Sequence, residues 1–405
     1  MLCSMKHLLL FFLLLSGFLL RAQSNQPILP GAFAMDQYLP LLKGKSVGIF
    51  ANATSVLGST HLVDTLMKEG INIKKIFSPE HGFRGKADAG EEVNSSVDQQ
   101  TGILLVSLYG NHLEPTAEDL ADVDVMLFDI QDVGTRFYTY ISSLEYFISS
   151  AIKNKKPLVI LDRPNPNGFY VDGPILEPKF KSFVGMQPIP VVYGMTVGEY
   201  AKMLVGESML AADVVSELKT RKNSGFILIV IPCKNYSHHS LYTLPVKPSP
   251  NLPDMASVYL YPSTCFFEGT VLSEGRGTPK AFQVFGHPSL PHELISFTPV
   301  SREGAKHPKL ENQICYGWDL SGTPEEVLKK VDGKVQIKWL VEAYKLFPDK
   351  NNFFLANNYI NRLAGTDQLA QQIKDGKSEI EIRKSWQPGL EAFKKIRKKY
   401  LIYAE

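Results

Sequence analysis

Four consecutive strand-like runs end on side chains that can do chemistry. The run 73–78 is followed at once by Glu80, His81 and Arg84 around Pro79 and Gly82, and the run 103–109 ends on Tyr109. The run 124–130 leads through Asp129 into Gln131, Asp132, Arg136, Tyr138 and Tyr140, and the run 157–162 into Asp162, Arg163, Asn165 and Asn167. In an open parallel sheet the ligand crevice lies outside the carboxyl ends of the strands, so these positions share one rim. A glycine-rich stretch at 266–278 adds Glu268, Glu274 and Arg276, with backbone able to come close to a ligand. Each residue alone has a plainer reading: an aspartate capping a turn, or tyrosines packing at a helix start. Their convergence on one edge is what points to a site. The chemistry such a set can perform is carboxylate chemistry, in which a protonated acid gives a leaving group its proton and a second carboxylate acts as base or nucleophile.

The absences narrow this further. There is no G-x-G-x-x-G after the first strand, no phosphate-cradling lysine loop, no G-x-S-x-G elbow and no H-E-x-x-H. Nine scattered histidines give no zinc-ligand spacing, so no metal and no cofactor are expected, although Glu80, His81 and Asp129 could meet as the centre of a metal-dependent amidase or deacetylase. With 43 basic against 41 acidic residues, the net charge of +2 makes no case for a nucleic-acid partner. Small molecules or neutral polymers fit better. A receptor for cell-wall sugars in the periplasm would use the same arginines and tyrosines without a proton-donating acid.

The elements that must hold these residues follow from the pattern. Between 45 and 231, short β-branched runs alternate with helix-like stretches, the signature of βαβ units and a parallel sheet. Strands are expected at 46–51, 73–78, 103–109, 124–130, 157–162 and 225–231, with helices near 60–69, 116–121, 137–153 and 196–206. Five prolines between Pro245 and Pro262 mark a loop-rich crossover, and the chain ends in a basic amphipathic helix. The fold class expected is α/β: a Rossmann-like parallel-sheet domain over 25–284 and a smaller mixed α+β auxiliary domain over 285–405. Residues 1–24, with Lys6 before an apolar run from Leu8 to Leu20, read as a secretory signal peptide, which makes the mature chain periplasmic without stable membrane insertion. Cys233, Cys265 and Cys315 leave room for one disulfide or for three buried thiols. The "NAT" sequon at Asn52 reads as a strand-end turn.

Taken in order, "SPEHGFRG", "SLYG", "FDIQDVGTRFYTYI", "LDRPNPNG", "VDGP", "YGMTVGE", "PSPNLP", "EGTVLSEGRGT" and "AFQVFGHP" resemble the bacterial exo-β-N-acetylmuramidase family, from about Lys43 to the C-terminus. The resemblance implies an exo-acting glycoside hydrolase that removes N-acetylmuramic acid from the non-reducing end of peptidoglycan fragments during cell-wall turnover, in a cleft between a Rossmann-like and an auxiliary domain. It places the family's catalytic glutamate on Glu80, in a turn whose partial desolvation suits proton donation. His81 and Arg84 are then placed to orient Glu80 or hold substrate. The second carboxylate falls to Asp129 or Asp132, with Asp162 behind them, while the tandem Glu91 and Glu92 compete for the role. Arg136, Arg163 and Arg276 are the candidates to grip the lactyl carboxylate of muramic acid, and Tyr109, Tyr138 and Tyr140 to stack on sugar faces.

Overall fold

Alternation along Ser46–Ala51 sends Val47, Ile49 and Ala51 to one side and Phe50 to the other, and all are buried. This run is β1 of a seven-stranded sheet in a computed structural model that describes residues 26–80, 82–83, 96–220 and 225–405. A small hairpin, β2 (Val56–Leu57) and β3 (Thr60–His61), follows it. The sheet continues with β4 (Asn72–Ser78), β5 (Ser96–Val97), β6 (Leu104–Ser107), β7 (Val125–Asp129), β8 (Leu158–Leu161) and β9 (Leu228–Ile231). Their order is β5-β6-β4-β1-β7-β8-β9, parallel throughout except for β5, which pairs antiparallel at the edge. The chain moves outward from β1 to β4 and β6, then returns to set β7 on the other side of β1, with Ala51 level with Asp129. That reversal is the topological switch point at which doubly wound sheets bind ligands.

Both faces of the sheet are covered, as a parallel sheet requires. On one side α1 (Met35–Leu42) and α2 (Leu62–Lys68) bury Tyr38, Leu62 and Leu66 against Val47, Ile49 and Leu127. On the other, α3 (Tyr140–Lys153) and α4 (Val197–Gly206) pack on Phe50, Phe77 and Phe128, whose rings meet Phe147 of α3 at centroid distances of 5.1 to 6.1 Å. Three of the four expected helices are present, with α3 starting at Tyr140. The stretch 116–121 forms turns instead: Thr116 and Asp119 exchange the hydrogen bonds of a helix start, but the backbone goes on with i→i−3 bonds from Ala121 to Glu118 and from Val123 to Leu120 and the helix is not continued. A further helix, α5 (Ala212–Thr220), precedes β9.

Beyond the sheet, α6 (Met255–Thr264) is buried along its whole length. A three-stranded antiparallel sheet follows, β10 (Val284–His287), β11 (Ile295–Phe297) and β12 (Cys315–Asp319), in the order β10-β12-β11. Then come α7 (Pro324–Val331), α8 (Lys338–Leu346), α9 (Tyr359–Ala364), α10 (Gln368–Lys374) and α11 (Glu379–Arg397). The expected terminal amphipathic helix is α11, which buries Ile382, Trp386, Leu390 and Phe393 at helical spacing. Phe266, Phe285, Trp339 and Phe393 join the same apolar cluster as Phe50 and Phe128, so the C-terminal region packs on the α3 side of the large sheet. The final residues return to the large sheet: the Tyr403 hydroxyl donates to Asp162, 241 positions earlier, and the Ile402 N–H donates to Glu199. Cys233, Cys265 and Cys315 are buried free thiols. No helix among the described residues is long and apolar enough to cross a membrane.

Glu145 of α3 sits in this core at 2% exposure, with Gln187 donating to one carboxylate oxygen at 2.7 Å. Burial pushes its pKa up from 4.5 to about 7, against the opposing Gln187 hydrogen bond. Because the folded value is raised, folding favours the protonated acid. The stability it confers is complete below about pH 4.5 and is lost as pH rises through 7. Glu145→Gln is therefore expected to remove on the order of 3 kcal/mol of stability loss between pH 4.5 and 8. Urea unfolding of both proteins across that range checks it, and parallel pH profiles would count against a buried neutral acid here.

Candidate active site

Glu80 follows β4 directly. Pro79 ends the strand, and the Gly82 N–H donates to the Pro79 carbonyl at 3.0 Å with Gly82 at φ +70°, which closes the turn and leaves Glu80 half-buried. Tyr109, just after β6, donates its hydroxyl to one Glu80 oxygen at 3.1 Å, and Thr139, ahead of α3, approaches the other at 3.4 Å. The strand ends thus orient the acid without an ionic partner from those two residues.

Glu80 borders a small pocket of about 50 Å³ whose other walls include Thr139, Tyr140, Asn251, Tyr261 and Arg276. Arg276 comes from the glycine-rich stretch. Gly275 and Gly277 flank it at φ +82° and +81°, and a Cβ on either would lie within 2.6 to 2.7 Å of neighbouring atoms, so only glycine allows this path. Its guanidinium donates to Glu268 at 2.7 Å, lies 3.4 Å from Glu274, and sits over the Phe282 ring at 5.0 Å. Burial works against the charge, but Glu268 and Glu274 outweigh it and hold Arg276 firmly protonated. Lys309 bonds Glu274 at 2.7 Å from the other side. A larger cleft of about 450 Å³ adjoins the pocket and shares Tyr140, Ser249 and Asn251 with it. Its floor is Asn52 and Thr54 at the end of β1, the switch point itself. Asn52 forms the expected strand-end turn, accepting from the N–H and hydroxyl of Thr54, and donates to Tyr140 at 3.0 Å.

The structure does not bring the remaining candidates to this cleft. Asp129 and Arg163 form a bidentate pair at 2.6 and 2.8 Å, with side chains 0% and 1% exposed, so neither the acid nor the guanidinium is presented to a ligand. Asp132 is buried, accepts from the Gly134 N–H at 2.6 Å and from Tyr193, and is pushed up by burial to about 6. Asp162 takes hydrogen bonds from Thr196, Tyr403 and the Gly198 N–H, and burial likewise pushes it up to about 6. Arg136, fully buried, donates to the carbonyls of Pro174, Ile189 and Leu363, and burial lowers it to about 9. Gln131 bridges the carbonyls of Asp132 and Pro164, and Asn165 donates to that of Met195. A Cβ on Gly134 would meet Asn165 Oδ1 at 2.1 Å, so the glycine and the amide are cut to fit each other.

These motif residues reach the rim, as their spacing implies, but turn inward and lock the strand-end loops together. Tyr138 lines the small pocket at 8% exposure with its hydroxyl on the Pro248 carbonyl at 2.6 Å. Tyr109 carries a partner ring, Phe183, at 6.3 Å. His81, Arg84, Glu91 and Glu92 lie outside the described residues. Sequence reasoning missed Thr139, Ser249, Asn251, Tyr261 and Phe282 on the pocket walls. Ser249 and Asn251 were legible only within the "PSPNLP" motif of the proline-rich crossover, with no site role attached, and its prolines give them a rigid backbone to stand on.

A doubly wound sheet whose switch-point crevice presents a half-buried carboxylic acid beside a shielded arginine defines an α/β protein built to hold a polar ligand against an acid. Its sequence is matched by the two halves of one family, described as exo-β-N-acetylmuramidase NamZ, N-terminal (residues 47–256) and C-terminal (residues 259–403). The chain belongs to this exo-β-N-acetylmuramidase family. It is 37% identical over 393 residues to the peptidoglycan β-N-acetylmuramidase NamZ of Bacillus subtilis (strain 168), covering 91% of this chain and 89% of that protein. Among solved structures it resembles a DUF1343 family protein of Bacteroides fragilis, 43% identical with a TM-score of 0.84 over 94% of this chain and all of that one. A second such protein of the same strain is 26% identical with a TM-score of 0.76, over 93% and 99% of the two chains.

Proposed function

We propose that this chain is an exo-β-N-acetylmuramidase that releases N-acetylmuramic acid from the non-reducing end of peptidoglycan-derived saccharides, with Glu80 as the proton donor. The observation that carries the reading is the position of Glu80: a half-buried carboxylic acid at the crevice, held by two hydroxyl side chains, in a chain 37% identical to a curated peptidoglycan β-N-acetylmuramidase. Glycosidic cleavage starts with protonation of the leaving oxygen, which a partly desolvated acid on a fixed turn delivers. Glu268, tied to Arg276 next to the same pocket, is the second carboxylate in this proposal. Its role falls there because Asp129 and Asp132 are buried and engaged.

Arg276 reads the lactyl carboxylate. Two of its nitrogens are taken by Glu268 and Glu274, while Nη1 has no hydrogen-bond partner among the described residues and suits an incoming anion. Arg276→Lys keeps the charge but loses the fork, and kcat/KM on a muramyl substrate is expected to fall about 10- to 100-fold, a loss of roughly 1.5–3 kcal/mol for a charged hydrogen bond. Comparing muramyl with N-acetylglucosaminyl substrates checks it: equal losses on both would remove Arg276 from carboxylate recognition. The leader-like residues 1–24 support a periplasmic location for the enzyme, alongside its substrate.

The testing experiment is release of free N-acetylmuramic acid from a muramyl-glucosamine disaccharide by the purified mature chain, with and without chelator. Turnover in both conditions supports the glycosidase. Tight binding without turnover would instead make the protein a sugar receptor, and loss of turnover with chelator would revive a metal-dependent hydrolase.

A further inference from the structure

Peptidoglycan cleavage at a terminal residue needs somewhere for the rest of the chain to lie. The Glu80 pocket ends against Phe137, Tyr261 and Phe282, all buried, so a glycan cannot pass beyond it in that direction. It adjoins the larger cleft through Tyr140, Ser249 and Asn251. A saccharide whose terminal sugar meets Glu80 therefore extends across Asn52 and Thr54 along that cleft, about 450 Å³ in volume and within the range of a formed ligand site.

The far rim of the cleft carries two exposed cations, Lys247 and Arg302, with Glu303 beside Arg302. Arg302 stands on a tight turn closed by reciprocal hydrogen bonds between Arg302 and Ala305, at 3.2 and 2.9 Å. The turn is clamped in place. Asn251, buried and shared with the Glu80 pocket, donates to the Gly304 carbonyl at 2.7 Å. Gly304 has φ +82°, and a Cβ there would lie 2.5 Å from the Pro250 Cβ, so the turn sits flush on the proline-rich segment that also carries Lys247. One asparagine thus ties the acid's pocket to the cationic rim.

We propose that the larger cleft is the leaving-group subsite and that Lys247 and Arg302 read a carboxylate carried by the leaving saccharide. This rests on the glycosidase reading with Glu80 as proton donor. The ligand chemistry is a carboxylate two or more sugars beyond the scissile bond, supplied either by the lactyl group of the next muramyl residue or by a peptide attached to it. Two cations against one acid give the rim a local positive bias that the nearly neutral chain as a whole lacks.

The test compares initial rates of N-acetylmuramic acid release from the muramyl-glucosamine disaccharide with those from the tetrasaccharide of two such units. Three forms of the tetrasaccharide are used: with free lactyl groups, with the internal lactyl carboxylate amidated, and with a stem peptide on it. For the wild type, kcat/KM is expected to be about tenfold higher on the free-lactyl tetrasaccharide than on the amidated form. In the Lys247→Ala/Arg302→Ala variant the ratio of tetrasaccharide to disaccharide kcat/KM should fall by about the same factor, and 0.5 M salt should do likewise to the wild type. A preference shown only by the form with the stem peptide, with the free-lactyl and amidated forms equal, assigns the carboxylate to the peptide. Equal kcat/KM on all forms, or a variant with an unchanged ratio, overturns the subsite. Failure of the wild type to cleave the disaccharide overturns the glycosidase reading instead, and the two failures are told apart by that single substrate.

Discussion

Glu80→Gln is expected to lower kcat on the muramyl-glucosamine disaccharide by about 10²- to 10⁴-fold, the contribution of a positioned general acid, while leaving the fold and ground-state binding intact. The amide is isosteric: its oxygen can still accept from Tyr109, which bonds one native oxygen at 3.1 Å, and its NH2 can donate to the Thr139 hydroxyl, which lies 3.4 Å from the other. What it lacks is the proton. Calorimetric binding of the disaccharide with no release of free sugar is the result that fits. A variant retaining more than a tenth of wild-type kcat would remove Glu80 from proton transfer and return that role to residues beyond the described part of the turn. An aryl muramide with a good leaving group sharpens the test, because a leaving group that needs no proton should recover much of the lost rate.

Asp129→Ala is expected to act quite differently. It strips one partner from the Arg163 pair at the end of β7, where both side chains are sealed from water, and leaves a guanidinium buried without compensation. Breaking such a pair costs about 3–5 kcal/mol, whereas replacing both partners by apolar groups of similar size often costs far less. Asp129→Leu with Arg163→Met should therefore be more stable than Asp129→Ala alone. Urea unfolding of the two variants decides the matter. If Asp129→Ala unfolds like the wild type but loses turnover, Asp129 belongs to the chemistry and the pair is not structural.

The two variants also separate what the sequence could and could not convey. The six parallel strands were legible because each is an apolar run bounded by turn residues, and β7 is apolar on both faces as a central strand must be. The rim was legible too, since strand ends define it whatever the side chains do. Direction was not. Asp129, Asp132, Asp162, Arg136 and Arg163 are the residue types of a catalytic centre, yet each finds its partner inside the protein, some across 30 or more residues of chain and Arg136 on Leu363 across 227. Such pairings are set by packing, and local spacing carries no trace of them. Glu80 stayed legible because its turn is local: proline to stop the strand, glycine to reverse it, and an acid between. The stretch 116–121 misled for a different reason: its Thr116–Asp119 pair is a genuine helix-start signal, but nothing local says that the helix stops after one turn.

The seal that Tyr403 makes on Asp162 has a temporal meaning. Two stretches of chain separated by 241 residues must both be present before the end of β8 acquires its full set of hydrogen bonds. Contacts of that reach cannot form until residues 402 and 403 have been made, so however early the strands of the large sheet pair, the end of β8 is completed last.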